Sequence, residues 1–128
     1  MSARILVVDD EPEVVKLVAY HLRKAGHSIL TAGNGEDAVR RAQEAEPDLI
    51  LLDLVLPDVE GFTVCETLRG LPATAAIPIV MLTGLPGEIP RCYGYECGAT
   101  EYLHKPFDAR ELVERVEEVL AERKARVG

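Results

Sequence analysis

The sequence predicts an α/β protein: a doubly wound, five-stranded parallel sheet of order 2-1-3-4-5, with five helices on its two faces. Three observations predict it. Five short apolar runs, rich in β-branched residues, are spaced along a chain of 128 residues. Stretches with helical periodicity alternate with them, and strand–helix alternation calls for parallel pairing with covered faces. The central run, Leu49 to Leu52, is apolar at every position, as a strand buried on both sides must be.

Taken in order, Arg4 to Val8 (RILVV) is a first strand, ending at Asp9, Asp10 and Glu11. Pro12 suits the first turn of a helix, and the preceding acids suit the positive end of its dipole. Val14, Val15, Val18, Leu22 and Ala25 recur at helical spacing until Gly26 stops the run. Ser28 to Ala32 (SILTA) is a more polar second strand, suited to a sheet edge. Asn34 caps a second helix with Ala38, Val39 and Ala42 on one face, and Pro47 marks its end. The third strand runs into Asp53, and Pro57 forbids its continuation. Asp58 to Gly61 reads as loop, and a third helix follows with Phe62, Cys65 and Leu68 inward.

Ile77 to Leu82 (IPIVML) is the fourth strand, broken by Thr83 and Gly84. From Gly84 to Gly98 there are four Gly and two Pro in fifteen residues. Each interior Gly costs a helix about 1 kcal/mol relative to Ala, so a fourth helix should be short, from near Pro90 to Gly98. Thr100 to His104 (TEYLH) is the fifth strand, stopped by Lys105 and Pro106. Asp108 with Glu111 opens a final helix lined by Leu112, Val113, Val116, Val119 and Leu120. We place one domain at residues 1–122 and a basic tail or linker remnant at 123–128.

Composition narrows the function. The net charge of −8 argues against a nucleic-acid surface, which needs clustered Lys and Arg. No apolar run approaches membrane-spanning length, and the N-terminal run is too short for a secretory signal, so a cytoplasmic location is expected. Cys65, Cys92 and Cys97 lack metal or disulfide spacing and read as small buried hydrophobes. His21, His27 and His104 show no ligand spacing and are expected to be exposed.

The order 2-1-3-4-5 sets the first and third strands side by side at the topological switch point, where chemistry in such sheets is placed. Asp9, Asp10 and Asp53 must then converge, with Thr83 and Lys105 on the same rim. Three close carboxylates repel one another unless neutralised, and Mg²⁺ accepts a few carboxylates, a carbonyl and waters. With Lys105 and Thr83 opposite, the set is laid out for a phosphoryl group, and Asp53, the central carboxylate, is the candidate nucleophile.

The chain resembles a response regulator receiver domain of two-component signalling along nearly its whole length. The matching segments are ILVVDDE (5–11), DLILLDLVLPDVEG (48–61), IPIVMLTG (77–84) and GATEYLHKPF (98–107). The resemblance implies a flavodoxin-like fold and a phosphoryl group accepted on Asp53 from a sensor histidine kinase or histidine phosphotransfer protein. It further implies Mg²⁺ held by Asp10, Asp53 and the backbone carbonyl of Val55, with Asp9 acting through metal-bound water. Thr83 and Lys105 would bind the phosphoryl oxygens. Tyr102 matches the switch aromatic that turns inward with Thr83, and the Lys105–Pro106 bond is expected to be cis. The readout would be repacking at the fourth helix, fifth strand and fifth helix, in a monomer or a phosphorylation-dependent dimer. The downstream target or output domain stays unidentified.

Two positions depart from the usual pattern. Val55 and Leu85, two residues after Asp53 and Thr83, are apolar where polar side chains guide an attacking water, so slow self-dephosphorylation is expected. The Gly84–Gly98 segment overlaps the usual signalling surface; it marks either an easily remodelled face or drift on a tolerant one. An aspartate-nucleophile phosphohydrolase would need a second acid and a cap, and neither is evident, so no substrate turnover beyond the chain's own phosphorylation and dephosphorylation is expected. A flavin-binding domain would need a phosphate-cradling loop after the first strand, where Asp9, Asp10 and Glu11 stand instead. The same fold used as a phosphorylation-independent interaction module is the remaining alternative.

Overall fold

The computed structural model describes residues 2–84 and 98–127. Its five strands are β1 (Arg4–Val8), β2 (Ser28–Ala32), β3 (Leu49–Asp53), β4 (Ile79–Thr83) and β5 (Glu101–His104). They form one parallel sheet in the order β2-β1-β3-β4-β5. Four helices are described: α1 (Pro12–Lys24), α2 (Gly35–Ala45), α3 (Gly61–Arg69) and the final helix α4 (Ala109–Val127). The short helix expected between Pro90 and Gly98 falls in residues 85–97, outside the described residues.

Each face of the sheet carries its own core. Leu6, Val8, Ile50, Leu52, Ile79 and Met81 point toward α2 and α3, where Ala38, Ala42, Val64 and Leu68 meet them. Ile5, Val7, Leu49, Leu51, Val80 and Leu82 point the other way, onto Val18 and Leu22 of α1 and Leu112, Val116 and Val119 of α4. Strict alternation of side-chain direction along a strand produces this division. It also explains why β1, β3 and β4 are apolar over residues 5–8, 49–52 and 79–82. The strand β2, on the edge, leaves Ser28 and Thr31 exposed.

Local chemistry ends the elements where it should. Asn34 Oδ1 accepts the Asp37 N–H at 2.8 Å, capping α2. Gly26 takes a positive φ of 102° after α1. Asp108 Oδ1 accepts the Glu111 N–H at 2.7 Å at the start of α4. The helix α4 continues through residues 123–127, and Arg123 donates to the Asp48 carbonyl at 2.7 Å.

Several expectations need correction. The fourth strand begins at Ile79, because Ile77 closes a turn by donating to the Thr74 carbonyl at 3.1 Å. The fifth begins at Glu101: Thr100 still donates its N–H to the Ile79 carbonyl at 2.8 Å, but the Ile79 N–H turns to the Thr100 hydroxyl at 3.0 Å. Val64 joins Cys65 and Leu68 on the buried side of α3, while Phe62 is only partly covered. His27, expected to be exposed, is 5% exposed. Its Nδ1 accepts the Ala3 N–H at 3.1 Å, so it seats the chain's N-terminal segment against the start of β2. His21 is half-buried and His104 exposed. Cys65 is buried as expected; Cys92 and Cys97 lie outside the described residues.

Candidate functional site

The carboxyl ends of β1 and β3 lie next to each other, with Val8 opposite Leu52, so the residues that follow share one rim. Asp9 and Asp53 are 2% and 5% exposed, whereas Asp10 is exposed. One carboxylate oxygen from each of the three lies within 4.8 Å of the others. The neighbouring β4 and β5 end at Thr83 and His104, and Thr83 is buried. Lys105, whose backbone N–H donates to the Thr83 carbonyl at 2.6 Å, sends its ammonium back over the rim. It lies 3.1 Å from Asp9 Oδ2 and 3.5 Å from Asp53 Oδ1.

Among the described residues one ammonium, that of Lys105, meets this group of three carboxylates, so positive charge is in short supply there. The consequence falls on Asp53. Burial raises its carboxyl above the ordinary carboxylate range, and the Asp9 charge raises it further. Lys105 and the Val55 N–H, 3.3 Å from Asp53 Oδ1, oppose this without cancelling it. For Lys105 burial acts to lower the ammonium, but the Asp9 hydrogen bond and the charges of Asp53 and Asp9 outweigh it, and the net shift is upward. By distance Asp9 is the nearer partner of Lys105, at 3.1 Å against 3.5 Å for Asp53.

This donor set fits a hard divalent cation. Three convergent carboxylates with one exposed member suit Mg²⁺, which keeps several waters and takes few protein ligands. Asp9 is the carboxylate least available to a metal directly. Its Oδ1 accepts the Glu11 N–H at 2.9 Å and its Oδ2 takes Lys105.

Among the remaining expected residues, Tyr102 is turned inward at 1% exposure, its ring 5.7 Å from that of His104. The Lys105–Pro106 bond is cis. Val55 is 63% exposed at the mouth of the site. Leu85 lies outside the described residues, as does most of the Gly84–Gly98 segment.

Sequence reasoning passed over the residues that hold the loop after β3. Gly61 donates to the Leu54 carbonyl at 2.7 Å, and Val55 pairs with Glu60, closing the loop into a narrow turn. A Cβ on Gly61 would collide with the Asp53 carbonyl oxygen and Leu54 Cα, so only glycine permits this approach. A glycine at the first position of a helix, after an acid-rich turn, was the available signal. Asp58, at the apex of the loop, gave none.

A family model for the response regulator receiver domain matches residues 5–117. The alkaline phosphatase synthesis transcriptional regulatory protein PhoP of Bacillus subtilis is 42% identical over 120 residues, 94% of this chain and 49% of that protein. The DNA-binding dual master transcriptional regulator RpaA of Synechocystis is 44% identical over 117 residues, 91% of this chain and 48% of that protein. The chain thus spans about half the length of these curated relatives. Among solved structures, the chemotaxis response regulator CheY4 of Vibrio cholerae superposes with a TM-score of 0.89 at 32% identity, covering 93% of this chain and 99% of that one. This chain belongs to the response regulator receiver domain family of two-component signalling. No helix among the described residues is long and apolar enough to cross a membrane.

Proposed function

We propose that Asp53 is the phosphoacceptor of a signalling switch, charged by a sensor histidine kinase or a histidine phosphotransfer protein. The observation that carries this is its position: a buried, incompletely compensated carboxylate between Asp9 and Lys105, at the topological switch point. An Asp53 carboxylate oxygen attacks phosphorus and the donor's phosphorus–nitrogen bond breaks. The electron pair returns to the imidazole, which takes up a proton.

Asp10, Asp53 and the Val55 carbonyl would hold Mg²⁺, with Asp9 beside them. When bound there, the ion would supply charge neutralisation for the phosphoryl oxygens. Lys105 would shift from the two carboxylates toward the new phosphoryl group, and the Thr83 hydroxyl would donate to it. A phosphoryl ligand shifts a two-state equilibrium only through contacts that differ between the states, and Thr83 and Lys105 supply them. The change would be read at β5, α4 and the segment before β5. No turnover of a separate substrate is proposed. A cytoplasmic location and a monomer, or a dimer formed on phosphorylation, accord with this reading.

The test is incubation with Mg²⁺ and acetyl phosphate. Intact mass should rise by one phosphate in the native chain and not in Asp53→Ala. A native chain that stays unmodified would instead favour a phosphorylation-independent interaction module.

A further inference from the structure

The loop from Leu54 to Glu60 carries Val55, which touches the reactive carboxylate, yet it is exposed at Val55, Pro57, Asp58, Val59 and Glu60. Such a loop should be mobile unless something holds it. Its base is closed by Gly61 and by the Val55–Glu60 pairing. Its apex is held by a different element, 22 and 23 residues away in sequence. Asp58 Oδ1 accepts the Gly35 N–H at 2.8 Å, and Oδ2 accepts the Glu36 N–H at 3.0 Å.

These are the first two N–H groups of α2, which a helix cannot satisfy internally, and they lie at its positive end. Asn34 takes the third, from Asp37. The α2 start is therefore capped jointly, by its own Asn34 and by the loop's Asp58. The approach is so close that a Cβ on Gly35 would collide with Val59 and Val64 side chains. Both N–H groups favour the charged form of Asp58 and hold its carboxyl below the ordinary range.

We infer that Asp58 is a positioning residue for the Asp53 site: by tying the loop apex to the α2 N-terminus, it holds Val55 against the reactive carboxylate. Val55 presents its N–H to Asp53 and, on the reading proposed above, its carbonyl to Mg²⁺. The inference rests on that reading for the metal, but the Val55–Asp53 contact stands without it. A carboxylate is suited to the task because it receives two N–H groups at once. An amide side chain keeps one acceptor, and alanine keeps none.

The experiment compares the native chain with Asp58→Ala, Asp58→Asn and Asn34→Ala, the last weakening the same helix start without touching the loop. Two quantities are read: amide exchange at Val55 and Gly61 without metal, and the dissociation constant for Mg²⁺ alone by calorimetry. Asp58→Ala should speed exchange at Val55 and weaken Mg²⁺ binding by about tenfold, the usual scale for losing an outer support of a metal site. Asp58→Asn should recover part of both. Asn34→Ala should lower the melting temperature while leaving both near native values. The inference is overturned if Asp58→Ala destabilises α2 as Asn34→Ala does yet leaves Val55 exchange and Mg²⁺ affinity native. It is equally overturned if Asn34→Ala matches Asp58→Ala in both readouts. Native protein that gains no phosphate would count against the Asp53 reading alone, since Val55 exchange is measured without metal or phosphodonor.

Discussion

The strand β3 has an aspartate at each end, and the two are treated in opposite ways. Asp48, just before the strand, accepts the Arg4 N–H at 2.8 Å, and the Arg123 guanidinium lies 3.8 Å from its carboxylate. Its backbone is also engaged, donating to the Arg4 carbonyl and accepting from Arg123. Asp53, at the other end, is buried beside a second carboxylate and shares one lysine with it. The amino-terminal end of the sheet settles its charge with partners of its own. The carboxyl-terminal end leaves a negative surplus that a cation can neutralise. Residual electrostatic conflict therefore distinguishes the functional rim from the structural one.

The largest effect should come from Lys105→Ala, which removes the only cation seen within the acidic rim among the described residues. Phosphorylation of Asp53 by acetyl phosphate at saturating Mg²⁺ should slow by about a hundredfold, the scale of one lost electrostatic contact in a transition state. A rate close to native would place the phosphoryl group away from Lys105 and break the contrast between the two ends.

Next comes Asp48→Ala, which strips the settled end of its carboxylate. Denaturant melts should show a loss of about 1 kcal/mol, since the hydrogen bond from Arg4 disappears while the Arg123 contact to the Asp48 carbonyl survives. Phosphorylation should be unchanged. If phosphorylation fell with stability, the two ends would not be independent.

Asp53→Asn should act in the opposite direction. Because the folded carboxyl is raised, the folded chain keeps a proton on Asp53 where the unfolded chain has released it. Wild-type stability then falls as pH rises through that window, from the ordinary carboxylate value upward, and the penalty is complete above it. In metal-free buffer at neutral pH, Asp53→Asn should be the more stable protein, by on the order of 1 kcal/mol or a few degrees in melting temperature. The difference should vanish below the ordinary carboxylate range. Added Mg²⁺ should close the gap by stabilising the wild type.

The smallest effect belongs to Val55→Asn. The Val55 side chain is exposed and has no group with which to hydrogen-bond an attacking water. A polar side chain there should shorten the phosphorylated lifetime by about threefold to tenfold, read as loss of the phosphate mass after removal of phosphodonor. An unchanged lifetime would remove Val55 from the account of slow dephosphorylation.

Much of this was legible from spacing. The apolar runs located all five strands, and the acids and lysine after them marked the rim, because a buried strand ending in a charge has few explanations. Strand ends were less legible. Thr100 reads as strand, yet its hydroxyl takes the Ile79 N–H while its own N–H bonds the Ile79 carbonyl. His27 reads as a surface residue, yet the Ala3 segment folds over it. Asp58 reads only as part of a loop, yet its partners lie at the start of another helix. In each case the deciding partner is distant in sequence, and local pattern carries no record of it.

What the chain determines by itself is therefore periodic: which residues face a core, where apolar runs stop, and which charged groups follow them. Those follow from side-chain hydrophobicity and from the repeat of strand and helix, which act over a few residues. The tertiary structure alone decided that Lys105 leans to Asp9 over Asp53, that Asp58 closes the start of α2, and that His27 is covered. Each depends on distances of a few ångströms between segments that only the closed sheet brings together, where burial makes small differences in charge separation decisive.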